Sequence, residues 1–331
     1  MKFILSISLV VSCMLYGIDA DTIKIIQTYR TKGIENTQIM LENYLTQKDF
    51  WLDLLKDKDT DYGYYENTEF LFVSDKTIPD LSLYEIQNGH LKKINQSNAL
   101  VGSGKGDKKI EGDLTTPIGV YDITARLTGL NQYYGPMAYA TSYPNIYDRV
   151  RKRTGSGIWI HGLPLNGNRE ELNTKGCIAI ENQLLSQYDK IIAQKNILLI
   201  SFENNFKPST KEELATILSD LYLWRDAWIK NDLNTYLSFY NNDFIRFDGM
   251  KFNSFKDYKK RVFDKKEEKT ILFSDIDITP YPNNEGKNLF RIVFSQNYSA
   301  FKNNRSTYTS KSKKELYIEL KDNKISILTE K

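Results

Sequence analysis

Between residues 68 and 203 the apolar residues come in short runs closed by glycine, asparagine or aspartate, and this punctuation restricts that stretch to a β-rich fold. Glu69-Phe70-Leu71-Phe72-Val73, Ile118-Gly119-Val120-Tyr121-Asp122-Ile123 and Asn196-Ile197-Leu198-Leu199-Ile200-Ser201 each read as one strand. Gly157-Ile158-Trp159-Ile160-His161-Gly162 puts His161 at a strand end, and Cys177-Ile178-Ala179-Ile180 begins the next strand. Leu83-Tyr84-Glu85-Ile86 and His90-Leu91-Lys92-Lys93-Ile94 alternate on either side of Asn88-Gly89, which predicts a hairpin with a tight turn. His90 falls in that hairpin, where a surface or packing role is expected of it.

The flanking segments differ in pattern. Residues 22 to about 62 read as helical, with Ile34, Ile39, Leu41, Tyr44, Leu45, Leu52 and Leu55 at three- and four-residue spacing and a charged break at Asp57 to Asp61. This part is too small for its own core, so it docks on the next domain or on a second copy of the chain. From about residue 207 the pattern is α+β. Pro208 and Ser209 open a helix, and Ser209-x-x-Glu212 fits a capping box. Leu214, Ile217, Leu218, Leu221, Arg225 and Trp228 trace one helical face. The strands Thr270–Phe273, Leu289–Phe294, Lys314–Leu320 and Lys324–Leu328 follow, which predicts a curved antiparallel sheet wrapping a helix. The fold class is therefore α+β multidomain, and 331 residues suit about two domains. The expected boundaries are 1–20 for an export signal, 21–67 for the helical segment, 68–204 for the β-rich domain and 205–331 for the C-terminal domain.

The first twenty residues carry the export signature. Lys2 precedes an apolar run from Phe3 to Leu15, and small residues end at Ala20, a cleavage point. The run is too short to span a bilayer, which needs about 20 residues. A buried N-terminal element is the alternative, and Val10-Val11-Ser12-Cys13 leaves lipid attachment as a minor one. Export predicts a periplasmic protein starting near Asp21. The net charge of +3 is too small to argue for nucleic acid or anionic lipid as partner.

Removing the signal leaves Cys177 as the single thiol, unable to form an internal disulfide. With His90 and His161 the only histidines, no usual His/Cys metal site is expected. Cys177 and His161 lie sixteen residues apart, each at a strand end beside glycine. A thiol needs a neighbouring base to ionise near neutral pH. Strand ends in one sheet can bring the two within reach, and the N–H groups of Gly176 and Cys177 are then candidates for binding an oxyanion. The competing reading is a buried thiol beside a turn glycine.

His161-Gly162 followed by Thr174-Lys175-Gly176-Cys177 resembles the active-site motif of the L,D-transpeptidase (YkuD-type) family. The stretch from Gly112-Asp113 through Thr116-Pro117-Ile118-Gly119-Val120-Tyr121 resembles that family's upstream strand, and Gly102-Ser103-Gly104-Lys105, Tyr134-Gly135-Pro136 and Tyr143-Pro144-Asn145 are similar to family segments as well. The resemblance covers about residues 69 to 203. It implies a β-sandwich-like catalytic domain, Cys177 as nucleophile, and His161 as general acid/base oriented by the Gly162 carbonyl. It also implies a Gly176 N–H in the oxyanion hole and no cofactor. Tyr134, Trp159, Thr174, Lys175 and Arg126 are the substrate-contact candidates. Ala179 departs from the family, which often has Arg there, and Lys175 or Arg126 is the candidate replacement for that charge.

Trp224-Arg225-Asp226-Ala227-Trp228, Asp232 and Tyr236–Tyr240 resemble nuclear transport factor 2-like (NTF2-like) domains, which form a cone-shaped pocket; Trp224 and Trp228 also suit plain core positions. Together the two domains resemble L,D-carboxypeptidases that set helical cell shape in curved Gram-negative bacteria, with an N-terminal segment that builds a homodimer. The resemblance implies removal of the terminal D-Ala from tetrapeptide stems of peptidoglycan through a Cys thioester. Cross-linking by the same thioester, or a non-catalytic wall-binding role through the C-terminal pocket, are the alternatives. The ligand or protein partner of that pocket is left open.

Overall fold

The computed structural model describes residues 19–166 and 172–331. The apolar run Phe3–Leu15 and Cys13 lie outside the described residues, as do Gly167 and Asn168.

Among the described residues, those up to Gln47 form one compact unit and those from Lys48 to Lys331 form the other. In the first unit α1 (Ala20–Leu45) is capped by Asp19 and interrupted at Gly33, whose φ of 80° is non-helical. The halves fold back on each other: Thr28 Oγ1 lies 3.6 Å from Met40 Sδ, and Tyr44 Oη donates to Asp21 Oδ1 at 3.4 Å. Ile23, Ile26, Tyr29, Ile34, Ile39 and Leu41 stay exposed, so this hairpin buries little of its apolar surface.

In the second unit the elements run α2 (Lys48–Leu55), β1 (Tyr64–Tyr65), β2 (Phe70–Asp75), β3 (Asp80–Gln87), β4 (His90–Asn98), β5 (Gly119–Leu127), β6 (Ala138–Thr141), α3 (Ile146–Val150), β7 (Trp159–His161), β8 (Ile178–Ala179), α4 (Asn182–Ile192) and β9 (Ile197–Phe202). They continue with α5 (Lys211–Ile229), α6 (Leu233–Leu237), α7 (Phe252–Phe263), β10 (Glu268–Pro280), β11 (Leu289–Lys302), β12 (Arg305–Lys321) and β13 (Lys324–Glu330). The mixed α+β class is as expected. Helix stops at Leu55 rather than near residue 62, because Tyr64 and Tyr65 pair with Ile278 and Asp277 as an edge strand. Trp51 of α2 is buried and stacks on Tyr222 of α5 at 5.5 Å, so α2 docks on the C-terminal part and not on the β-rich one.

Eight strands form the first sheet in the order β4-β3-β2-β9-β5-β6-β7-β8. The predicted hairpin is β3–β4, with φ of 53° at Asn88 and 81° at Gly89. Strand β5 serves two neighbours: Gly119–Asp122 pair with β9, and Ile123–Leu127 pair with β6, with a register irregularity between Ile123 and Ala125. The sheet curls there, which increases local twist and folds β6–β8 over the rest. Phe72, Leu83, Tyr121, Ile160, Ile178 and Leu199 pack in the core so enclosed, with Tyr188 of α4 beside them. This is the sandwich-like arrangement the resemblance implied.

The second sheet runs β1-β10-β11-β12-β13, antiparallel throughout, with α5 on β10 and β13. All the expected face of α5 is buried, Arg225 included. The cap is one residue later than Ser209-x-x-Glu212: Thr210 Oγ1 accepts from Glu213 N, and Glu213 accepts from Thr210 N. Ser209 cannot serve because its own hydroxyl is buried and donates to the Thr60 carbonyl at 2.5 Å. A second core joins the sheets: Leu71, Val120 and Ile200 meet Tyr147, Tyr281 and Tyr317.

Candidate active site

Strand β7 ends on His161, and β8 runs parallel to it with Ile160 opposite Ile178 and His161 opposite Ala179. Side chains alternate along a strand, so carrying the register back places Cys177 level with Trp159, on the face that bears His161. Diagonal neighbours in a sheet lie about 7–8 Å apart at the backbone, a span that an imidazole and a thiol can close. His161 is buried, whereas Cys177 is partly open to solvent.

The imidazole is held by a hydrogen bond and a ring contact. Nδ1 lies 2.7 Å from the Gly162 carbonyl oxygen. A carbonyl only accepts, so Nδ1 carries the proton and the ring's lone pair is on Nε2. The Tyr134 ring stands edge-on to the imidazole at 5.1 Å and reaches Trp159 at 5.2 Å. The backbone is fixed as well: Gly162 N donates to Tyr134 O, and Ile180 N donates to His161 O, each at 3.0 Å.

Cys177 closes a turn organised by Thr174. The Thr174 hydroxyl accepts from Gly176 N at 3.1 Å and donates to the Cys177 carbonyl at 2.6 Å. Gly176 has φ of 129°, and a Cβ there would lie 2.9 Å from the Thr115 carbonyl oxygen, so the position requires glycine. Thr115 is set by Asp113, whose carboxylate accepts from Lys108 Nζ and from the N–H groups of Lys109, Ile110 and Thr115. Burial opposes its charge but is outweighed by these donors, which hold the carboxyl well below its ordinary range. Gly102 and Gly104 leave room for Leu114 and Thr115. The upstream stretch therefore supports the Cys177 turn from behind. The Cys177 thiol donates to the Gly157 carbonyl at 3.4 Å.

The structure gives the surroundings of the other site positions. The Gly176 N–H is engaged by Thr174 Oγ1 and does not face a substrate oxyanion, leaving that of Cys177 as the remaining sequence candidate. Thr174 is buried, and its hydroxyl is taken up by the backbone of the turn. Arg126 pairs with Asp189 at 2.6 and 2.7 Å, and Asp189 also accepts from Tyr139 Oη, so Arg126 is no free substitute for the missing family arginine. Ala179 is buried opposite His161, with both backbone groups bonded to Leu100. Lys175 is exposed beside Gly176, and Tyr134 and Trp159 are half-buried at the imidazole. His90 is exposed on the hairpin, 3.5 Å from Asp59. The sequence did not single out Gly157, whose carbonyl accepts from the thiol, because a backbone carbonyl carries no distinguishing local signal.

The C-terminal sheet and α7 enclose a cavity of about 490 Å³ lined by Trp228, Tyr258, Lys259, Gln296, Tyr298 and Lys314, among others. Burial pushes the Lys259 ammonium down to about 8, and its nitrogen sits 4.4 Å from the Trp228 ring centre. Trp228 Nε1 and Gln296 Oε1 are buried without hydrogen-bond partners among the described residues. Trp224 is core, while Trp228 lines the cavity.

Residues 71–195 match the L,D-transpeptidase catalytic domain family, and residues 216–331 match the Cds6 C-terminal NTF2-like domain family. The crystal structure of the helical cell shape determining protein Pgp2 from Campylobacter jejuni is 41% identical, covering 86% of this chain and 99% of that one with a TM-score of 0.80. A point mutant of that same protein gives 40% identity and a TM-score of 0.81, covering 87% of this chain and 99% of that one. Bd1075 of Bdellovibrio bacteriovorus shares the fold at 23% identity and a TM-score of 0.63, covering 82% of this chain and 96% of that one. The comparison with curated proteins gives no match.

Proposed function

The chain belongs to the family of Pgp2, in which an L,D-transpeptidase catalytic domain precedes an NTF2-like domain, and from that premise we propose that it is a peptidoglycan-modifying cysteine L,D-carboxypeptidase that affects cell shape. The observation that supports this reading is the parallel β7–β8 register, which carried back one residue aligns Cys177 with Trp159 on the strand face that bears His161, whose Nδ1 is turned to the Gly162 carbonyl. The Cys177 thiolate attacks the carbonyl carbon of meso-diaminopimelate in the bond to the terminal D-Ala, forming a C–S bond and an oxyanion. His161 Nε2, protonated by the thiol, gives that proton to the leaving amine as the C–N bond breaks. A thioester and free D-Ala result. Water then loses a proton to Nε2 and attacks the thioester, which releases the tripeptide carboxylate and restores the thiol.

The same thioester transferred to a side-chain amine of a second stem gives a 3-3 cross-link. The family relationship and Ala179 support hydrolysis. Purified protein incubated with tetrapeptide muropeptides and read by mass distinguishes the outcomes. Loss of D-Ala is expected, with Cys177→Ala slower by at least about a thousandfold. Dimeric products would favour transfer. Full turnover by the alanine variant would overturn the enzyme reading and favour a wall-binding role, for which the unpartnered polar atoms of the C-terminal cavity are the supporting observation. We further propose export to the periplasm on the residues 1–20 pattern. The exposed apolar residues of α1 support homodimer formation.

A further inference from the structure

Asn182, the first residue of α4, carries a buried Oδ1 that accepts no hydrogen bond among the described residues. That atom fills the space where side chains would stand on two glycines. A Cβ at Gly135 would lie 2.5 Å from it, and one at Gly162 would lie closer still. Both glycines belong to the frame of the imidazole. Gly162 supplies the carbonyl that holds His161 Nδ1, and Gly135 closes the turn whose Tyr134 ring packs on the imidazole. The two segments are tied to each other by the Gly162 N–H to Tyr134 O bond. Asn182 itself is anchored two residues after Ile180, whose N–H bonds to His161 O. A buried amide oxygen with no donor costs about 1–3 kcal/mol, so its retention calls for an explanation.

We propose that Asn182 is a positioning residue for catalysis: its side chain wedges the Gly135 turn and Gly162 together and so fixes the plane and tautomer of His161. This rests on the reading of Cys177 and His161 as nucleophile and base. With the wedge absent, Gly162 relaxes, its carbonyl loses its aim on Nδ1, and Nε2 no longer faces the thiol in one orientation.

The test uses the full chain and alkylation of Cys177 by iodoacetamide, mapped by mass to the Cys177 peptide, at pH 6 and pH 9. In the wild type the imidazole supports appreciable labelling at pH 6. Asn182→Ala is expected to lower the pH 6 rate about tenfold while leaving the pH 9 rate within about twofold. Asn182→Asp keeps the outline and the acceptor oxygen and restores at least half of the pH 6 rate. Should the alanine variant fail to fold, Asn182→Gln takes its place, since the longer side chain does not fit beside two glycines. An unchanged ratio of the two rates in a folded Ala or Gln variant overturns the proposal. A wild type that labels at pH 6 no faster than a free thiol overturns both the proposal and the catalytic reading beneath it.

Discussion

Thr174 shows how a single hydroxyl shapes the reactive turn. It accepts from the Gly176 N–H and donates to the carbonyl of Cys177 itself. Thr174→Val keeps the volume but leaves the Gly176 N–H and the Cys177 carbonyl unsatisfied, at a cost of about 1–3 kcal/mol. A small shift of Cys177 then lowers turnover about a hundredfold, while Thr174→Ser stays within about threefold. Release of D-Ala, measured alongside the melting temperature, checks both. A second residue governs pH dependence. Asp148 caps α3 from within the fold, where burial first and Asp107 second push its carboxyl from 3.8 up to about 7. The folded state thus keeps a proton that the unfolded state releases, so stability falls as pH rises through that window. The loss is bounded at about 4 kcal/mol by the size of the shift. Asp148→Asn, which keeps an acceptor oxygen for the Asn145 N–H, removes this slope. Urea midpoints at pH 5 and pH 8 should show the variant gaining on the wild type at the higher pH; an equal gap at both would mean that Asp148 is not held protonated. Cys177 and His161 stand out in the sequence because candidates for nucleophile and base come from rare residue types. The partners of Thr174 and Arg126, Gly176 and Asp189, were not legible because they meet only once the turn and α4 are in place.

Elements with their own local code read well, and those that borrow stability from neighbours do not. Asn88-Gly89 announces its hairpin because both residues take positive φ, which glycine and asparagine tolerate best. Helix α7 escapes notice because Lys, Arg and Asp crowd its sequence, although Phe255 and Phe263 face the core. The first half of β12 is equally opaque: Arg305–Lys313 is mostly polar and exposed, and it is a strand because β11 pairs with it along its length. The start of α5 lies between these cases. Two hydroxyl residues, Ser209 and Thr210, each precede a glutamate by three, and the choice is made by Thr60, whose carbonyl takes the Ser209 hydroxyl. Thr210→Ala should therefore cost about 1 kcal/mol through loss of the cap. Glu213→Gln, which keeps an acceptor for the Thr210 N–H, should cost less than Thr210→Ala. Chemical denaturation of the two variants ranks these effects, and a neutral Thr210→Ala would return the cap to Ser209.

Across Lys48–Lys331 the largest consequence invisible in the sequence is that the two matched domains share one core. Arg291 of the C-terminal sheet is buried and bonds Glu315 on its own sheet and Asp122 on β5 of the catalytic sheet, 169 positions earlier. Around it Tyr147 stacks on Tyr317 at 5.1 Å, and Asn145 Nδ2 donates to Tyr281 Oη at 3.0 Å. No periodicity or motif links residues so far apart, so sequence reasoning placed a boundary near 204 and left the contact across it blank. Burial works against Asp122 as an anion, and Arg291 outweighs it to hold the carboxyl below its ordinary range. Arg291→Ala strands two carboxylates beside each other, and breaking such a pair costs about 3 kcal/mol, the lower end of the range because Asp122 keeps some solvent access. Arg291→Met, which retains packing, should recover little of that loss, because the stranded anions remain. If the sheets stabilise each other through this contact, heat should unfold both matched domains of the wild type in one transition, and Arg291→Ala should lower that transition as a whole. Two separate transitions in the wild type, with only one sensitive to Arg291, would show instead that each domain holds its fold without the other.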